Sequence, residues 1–109
     1  MSAALAPAPC PVENDVHSGL NPTRHLRAFA PRDVDEVVEL LQAARRQGRR
    51  LAVAGARHAM GGQQFAEGGW LLDTQSLSGV HAFDPVAGRV RVGAGTRWPA
   101  LQAFLAGQR

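Results

Sequence analysis

The sequence contains no lysine and no tyrosine, and its only cysteine is Cys10. Without lysine the chain cannot form a G-x-x-x-x-G-K-[ST] loop, because that motif needs the lysine to reach the phosphates of a nucleotide. With one cysteine it cannot form an internal disulfide, and the redox compartment stays undetermined. A cytoplasmic location is the default expectation.

Long apolar runs are also missing. No run approaches the eighteen or so apolar residues of a membrane helix, and the first fifteen residues lack the basic region of a secretory signal. We therefore expect no membrane partner, and we interpret residues 1–22 as a flexible leader. Roughly 85 residues remain to pack, near the lower end for an independent core, so we expect 23–109 to be a fragment of a longer protein.

The basic side chains are all of one residue type. All twelve are arginine, and the net charge is only +3. One cluster occurs, where a helix is predicted to end and a strand to begin, and basic groups are favoured at a helix C-terminus. A phosphate-binding patch is the alternative for this cluster. The chain lacks interleaved aromatic residues, so we expect no nucleic-acid partner. The clustered residues are Arg45, Arg46, Arg49 and Arg50.

The clearest predicted element is a helix over 33–47. Asp33 is a good N-cap, Glu36 follows at the capping-box spacing, and Gly48 is placed to end the helix in a left-handed turn. Apolar residues recur at helical intervals and form one apolar face. This face consists of Val34, Val37, Val38, Leu41 and Ala44.

The other predicted elements are strands over 50–54 and 70–74, a hairpin around Asp84-Pro85 and Gly88, and a helix after Thr96. Their order predicts an α+β, α/β-like fold with a small sheet flanked by helices. The last helix has an apolar face at Trp98, Leu101, Phe104 and Leu105, with Gly107 near its end.

Between the two strands lies the most informative stretch, "VAGARHAMGGQQFAEGGWLLD", from Val53 to Asp73. Structureless connections of this length are uncommon in compact domains and are usually functional or disordered. Glycines let the chain approach a ligand closely, and successive main-chain N–H groups can then point at one anion. The loop therefore predicts an anion site at the carboxyl end of a strand, although glycine loops also merely turn corners.

Two other kinds of site do not fit the sequence. The stretch is not a G-x-G-x-x-G motif followed at once by a helix, so a Rossmann nicotinamide site is unsupported. The histidines are scattered along the chain, so we expect no metal. His58 lies inside the predicted anion loop, where a neutral imidazole can act as a nucleophile or a hydrogen-bond partner. An ordinary surface role for this histidine is the alternative.

The stretch "LAVAGARHAMGGQQFAEGGWLLDTQSL", followed about fifteen residues later by "GRVRVGAGTRWPAL", resembles the FAD-binding domain of the vanillyl-alcohol oxidase (PCMH-type) flavoproteins. The run "GARHAMGGQQFAEGG" is most similar to the cytokinin dehydrogenase branch and to bacterial FAD-linked oxidases. The resemblance covers about residues 25–107. It implies that the chain forms the first subdomain of such a domain, with the second subdomain and the substrate domain absent.

The resemblance also implies residue roles. The main chain around Gly55, Ala56 and Arg57 would line the FAD pyrophosphate, and His58 matches the histidine that many members bond to the flavin 8α carbon. Arg57 stands where glycine is frequent and pays a steric cost at positive φ, while Ala59 replaces the commoner serine. The implied cofactor-binding residues are Val53, Gly55, Ala56, Arg57, His58, Ala59, Gln63 and Gln64.

The implied function is an FAD-dependent oxidoreductase. An alcohol or amine substrate would give a hydride to the flavin, which would pass electrons to dioxygen or another acceptor. A non-catalytic remnant or interaction module that kept the fold is the alternative. The resemblance assigns no catalytic base for the substrate, and the oligomeric state stays open. We expect the 109-residue chain to have no turnover alone.

Overall fold

The computed structural model describes residues 8–9 and 11–108. Its elements are β1 (Ala8–Pro9), β2 (Val12–Glu13), β3 (Thr23–Arg24), β4 (Arg27–Phe29), α1 (Val34–Arg46), β5 (Leu51–Ala54), β6 (Trp70–Asp73), a 3-10 helix (Thr74–Ser76), β7 (Val80–Asp84), β8 (Arg89–Val92) and α2 (Trp98–Ala106). The mixed helices and small sheets confirm the predicted α+β fold class. In the described part, no helix is long and apolar enough to cross a membrane.

The main sheet has the strand order β1-β4-β6-β5. β6 lies between β4 and β5 and runs parallel to both, while β1 is antiparallel to β4. Parallel neighbours need a crossover of a dozen or more residues, and residues 55–69 supply it between β5 and β6 without a helix. The carboxyl ends of three parallel strands therefore meet at one edge of the sheet.

Helix α1 begins and ends as the sequence predicts. The side chain of Asp33 accepts a hydrogen bond from the main-chain N–H of Glu36, and Gly48 has a φ of 64°. Arg45 and Arg46 lie in the last turn, which agrees with a macrodipole role for these two members of the arginine cluster.

The predicted apolar face of α1 is buried only in part: Ala44 lies in the core and Val37 packs against it. Val34, Val38 and Leu41 are exposed, because the apolar residues of this helix extend around more than one face and their spacing does not show which part meets the sheet. The observed core lies between α1 and strands β4 and β6, with Leu26, Val37 and Leu51 packed against it. It consists of Phe29, Leu40, Ala43, Ala44, Trp70 and Leu72.

The part of the predicted leader that the structure describes differs from the expectation. β1 pairs with β4, and β2 pairs with β3. Asp15, in the turn that follows β2, is buried. Polar hydrogen bonds rather than an apolar period hold this turn, so hydrophobic patterning gave no sign of it. Residues 1–7 and Cys10 lie outside the described residues.

The remaining elements form a second, smaller layer. β7 and β8 make the predicted antiparallel hairpin, with an irregular register between Val80 and Ala82. α2 contacts this hairpin through Phe104, whose ring packs edge-on against Phe83 at 5.6 Å between centroids. The predicted apolar face of α2 is not buried: Trp98 is 75% exposed and Leu105 is 39% exposed. α2 therefore lies on the surface of the described structure.

Candidate functional site

A cleft of about 380 Å³ lies where the loop after β5 faces the segment that leads into α2. One wall comes from the start of the glycine-rich loop and the other from the chain after β8. These two segments are nearly forty residues apart in sequence, so the site is a product of tertiary structure. The lining residues are Gly55, Ala56, His58, Ala94, Gly95, Thr96, Arg97, Trp98 and Pro99.

Two glycines hold the second wall against the main chain of residues 74–77, which follows β6. The N–H of Gly95 donates to the carbonyl of Leu77 at 3.0 Å, and a Cβ on Gly95 would lie 1.8 Å from the carbonyl oxygen of Thr74. A Cβ on Gly93 would lie 1.9 Å from the carbonyl oxygen of Leu77. Only glycine permits these approaches, which place residues 94–99 opposite the loop.

The loop wall offers main-chain donors. Among the described residues, none accepts a hydrogen bond from the main-chain N–H groups of residues 56–64. Successive N–H groups of this kind form concavities that bind anions. The arrangement is typical of a loop whose partner is a ligand rather than the protein itself.

Positive charge adds to these donors. Arg97 lines the cleft and is the N-cap residue of α2, but its side chain makes no capping hydrogen bond. The first turn of α2 therefore keeps unsatisfied N–H groups at the positive end of its dipole. The guanidinium of Arg97 donates to Oε1 of Gln75 at 2.8 Å, which orients it beside the cleft. The site as a whole favours an anionic group.

Arg57 has a φ of 62°, a left-handed conformation that carries a steric cost at a residue other than glycine. Its side chain does not line the cleft but turns back to the protein, where only 12% of it is exposed. Nη1 donates to the carbonyl of Gly55 at 2.8 Å, Nη2 lies 3.2 Å from Asp73, and Nε lies 2.7 Å from Glu13. These contacts hold the main chain of the loop in its left-handed turn.

His58 lies in the cleft wall and is exposed. Its Nδ1 lies 3.1 Å from Nε2 of His17, in the turn after β2. No sequence pattern associates these two histidines, because His17 falls in the segment predicted as a leader.

The other predicted site residues are less close to the cleft. Val53 is in β5 and paired with Leu72 of β6. Nε2 of Gln64 donates to the carbonyl of Ala59 at 2.7 Å, which closes the loop on itself. Gln63 is exposed and is not part of the lining. The structure thus brings Gly55, Ala56 and His58 together in the lining of the cleft. The other predicted residues lie outside this lining; they are Val53, Arg57, Ala59, Gln63 and Gln64.

Sequence reasoning missed the second wall of the cleft. The signal that could have located this wall is the V-G-A-G run at Val92–Gly95, since paired glycines after a strand mark close backbone approach. In the described residues, no group of three or more His, Cys, Asp or Glu side chains is placed to hold a metal ion.

Comparison with known proteins identifies a family for most of the chain. Residues 26–109 match the model of a family described as FAD binding domain. A protein of Rhodococcoides fascians, named uncharacterized oxidoreductase ORF5 in fasciation locus, is 38% identical over 73 residues, which are 67% of this chain and 16% of that protein.

Among solved structures, cholesterol oxidase from B. sterolicum matches with a TM-score of 0.76 and 20% identity, over 98% of this chain and 21% of that chain. At this identity the match shows the fold alone. The chain spans about a fifth or less of the length of each of these two proteins. The matches confirm the resemblance to FAD-binding flavoproteins that the motifs indicated.

Proposed function

The chain belongs to the family of FAD-binding domains, and from this premise we propose that the cleft between residues 55–58 and 94–99 holds the diphosphate of FAD in an FAD-dependent oxidoreductase. The observation that carries the proposal is the run of main-chain N–H groups in residues 56–64 without an acceptor among the described residues. A diphosphate supplies the acceptors that these groups lack.

The residues fit this cofactor in size and charge. Gly55 and Ala56 put almost no side chain between the main chain and the cleft, so a phosphate oxygen can approach the N–H groups closely. Arg97 and the first turn of α2 supply positive charge from the opposite wall. Gln63, exposed in the same loop, is the polar side chain that we assign to a further contact with the cofactor.

We assign His58 as the candidate for a covalent bond to the flavin. It lies at the cleft wall, is exposed, and carries an imidazole that is nucleophilic in its neutral form. When bound, the flavin accepts a hydride from an alcohol or amine donor and passes electrons to dioxygen or another acceptor. The protein supplies position and electrostatics for that chemistry.

The proposed diphosphate site is tested by placing a negative charge in it. We expect Ala56→Asp in the full-length gene product to weaken FAD binding at least about a hundredfold, because a carboxylate in the cleft wall repels the diphosphate at short range. Ala87→Asp, on the exposed hairpin turn, is the matched control and keeps wild-type affinity. Equal FAD affinity in both variants, measured by calorimetry, would place the cofactor elsewhere.

The covalent bond has its own test. We expect wild-type protein to keep its yellow colour through acid precipitation, and His58→Ala to release FAD into the supernatant. His81→Ala changes an exposed histidine on β7, outside the cleft, and keeps the flavin in the precipitate. Loss of the colour from the wild-type precipitate would contradict the covalent assignment and would leave the proposal of FAD binding unchanged.

A further inference from the structure

A second cavity, of about 340 Å³, lies beside the cofactor cleft. It is enclosed by the start of α1, the chain after the 3-10 helix, and the hairpin of β7 and β8. Ala94 lines both spaces, but no other residue of the cleft lines the second cavity. The proposed function therefore gives this cavity no occupant.

An irregular register in the hairpin brings two basic side chains to the second cavity. Val80 pairs with Val92, and Ala82 pairs with Arg91. Two steps along β7 thus match one step along β8, and His81 is the extra residue. An extra residue of this kind re-aims a side chain and is frequent next to binding sites. His81 and Arg91 are both exposed, and both line the cavity.

The position of the His81 imidazole is set by Gly93. A Cβ on Gly93 would lie 3.3 Å from Nε2 of His81 and 1.9 Å from the carbonyl oxygen of Leu77. Glycine therefore lets the imidazole and the chain after the 3-10 helix approach the same point. Because Gly93 and Leu77 also line the cavity, the imidazole lies against its wall.

A third basic side chain comes from the residue before the N-cap of α1. Nε of Arg32 donates to Oε1 of Glu36 at 2.9 Å, and the main-chain N–H of Arg32 donates to the same oxygen at 3.0 Å. Glu36 is buried, so this pair holds the arginine to the helix. Asp33 supplies the one carboxylate of the lining, and its Oδ1 accepts the N–H of Glu36. Two arginines and a histidine thus meet one carboxylate that already caps a helix.

The rest of the lining is partly apolar. Val34, Leu77 and Val92 contribute apolar surface, and Ser78 contributes a hydroxyl. Sites that bind small molecules combine apolar walls with a few polar groups that fix the orientation of the ligand. The second cavity therefore suits a molecule that has a charged head and a small apolar body.

We propose that the second cavity binds a small phosphate monoester with an apolar body. A phosphate monoester carries up to two negative charges and three terminal oxygens, which match Arg32, Arg91 and His81. A carboxylate carries one charge and two oxygens and would leave part of this basic lining without a partner. The site does not depend on the assignment of FAD to the cleft, although Ala94 makes the two ligands neighbours.

Phenyl phosphate is the probe, titrated by calorimetry into the full-length gene product saturated with FAD. We expect Arg91→Gln to weaken its binding about tenfold or more, because a charge-assisted contact is lost. Arg89→Gln removes the same charge from the same exposed strand outside the cavity lining, and we expect binding within about twofold of wild type. Equal loss in the two variants would reduce the effect to general charge attraction and overturn the proposal. No binding to the wild type would also overturn it.

Two further probes test the two halves of the ligand. We expect inorganic phosphate and benzyl alcohol each to bind about tenfold or more weakly than phenyl phosphate, because each lacks one half. Inorganic phosphate that binds as tightly as phenyl phosphate would contradict the role of the apolar wall. Benzyl alcohol that binds as tightly would contradict the role of the basic residues.

A last measurement keeps the second cavity distinct from the cofactor site. In the His58→Ala background, we expect Arg91→Gln to bind FAD within about twofold of the parent affinity. A loss of FAD affinity as large as the loss for phenyl phosphate would assign the cavity to the cofactor and overturn the proposal. If the protein binds no FAD at all, the phenyl phosphate titrations on the unloaded protein still decide, so the two proposals fail separately.

Discussion

Arg57 and Glu13 are 44 residues apart in sequence, yet Nε of Arg57 lies 2.7 Å from Oε2 of Glu13. The same guanidinium reaches Asp73 at the end of β6. One side chain therefore joins the end of β2, the glycine-rich loop and the end of β6. The cost of a left-handed conformation at a non-glycine residue is offset by these contacts.

The first prediction separates the contacts of Arg57 from its backbone conformation. We expect Arg57→Ala to lower the free energy of unfolding by about 1–3 kcal/mol, because two half-buried carboxylates lose their partner while the positive φ stays costly. Arg57→Gly loses the same pairs but removes the backbone cost, so it is about 1 kcal/mol less destabilised than Arg57→Ala. Urea unfolding measures both. Equal stability of the two variants would contradict the strained turn.

The second prediction concerns the wall built by Gly95. Its missing Cβ would lie 1.8 Å from the carbonyl oxygen of Thr74, a backbone atom that cannot move away cheaply. We expect Gly95→Ala to destabilise the fold by about 1–3 kcal/mol and to weaken FAD binding, because the second wall of the cleft is displaced. Gly107→Ala is the control, since a Cβ there meets its nearest atom at an ordinary 3.4 Å. Thermal unfolding and FAD titration of both variants measure these effects. Equal stability and equal FAD affinity of the two variants would contradict the prediction.

The third prediction is a pH dependence from His25. Burial lowers the pKa of this histidine below its ordinary value of 6.5, and its Nε2 accepts a hydrogen bond from the N–H of Ala66 at 3.1 Å. The unfolded chain therefore takes up a proton at a higher pH than the folded one. Its contribution to stability is complete above pH 6.5 and is lost as the pH falls below that value.

Urea unfolding between pH 7.5 and 5 tests this contribution. We expect His25→Asn to show a flatter pH dependence than the wild type, because the amide does not titrate and its oxygen can still accept from Ala66. His81→Asn, which changes an exposed histidine, keeps the wild-type slope. A His25→Asn profile as steep as the wild type would assign the dependence to another group.

The fourth prediction concerns acid sensitivity at Asp15. Hydrogen bonds from Asn21 and Ser18 lower the pKa of this carboxyl from 3.8 to about 2. The stabilisation is present above the unfolded pKa and is lost as the pH falls toward 2. We expect Asp15→Asn to lose stability at neutral pH and to show less further loss than the wild type between pH 4 and 2. Circular dichroism during acid titration measures this, and parallel curves would contradict it.

The sequence allowed some elements to be predicted because their signals are local. α1 was bounded by Asp33, Glu36 and Gly48, whose roles depend only on neighbours along the chain. The hairpin at β7 and β8 followed from turn residues. The positive φ at Arg57 was anticipated from the family pattern, in which glycine is frequent at that position.

Other features depend on contacts between distant segments. The buried side of α1 could be predicted only in part, because apolar residues such as Val34 and Leu40 lie on different sides of the helix, and only packing on the sheet selects between them. The cleft needs residues 94–99 to face residues 55–58, which is set by the packing of Gly93 and Gly95 on the chain at 74–77. No pattern within either segment specifies which other segment it will face.

The central claim is that main-chain N–H groups in this cleft bind the diphosphate of FAD, and titration with two flavins tests it most directly. The His58→Ala form of the full-length gene product, which cannot attach flavin at residue 58, is titrated by calorimetry with FAD and with riboflavin, which has no phosphate. We predict that FAD binds at least about a hundredfold more tightly. Equal affinity for the two flavins, or no binding of FAD, would contradict the account.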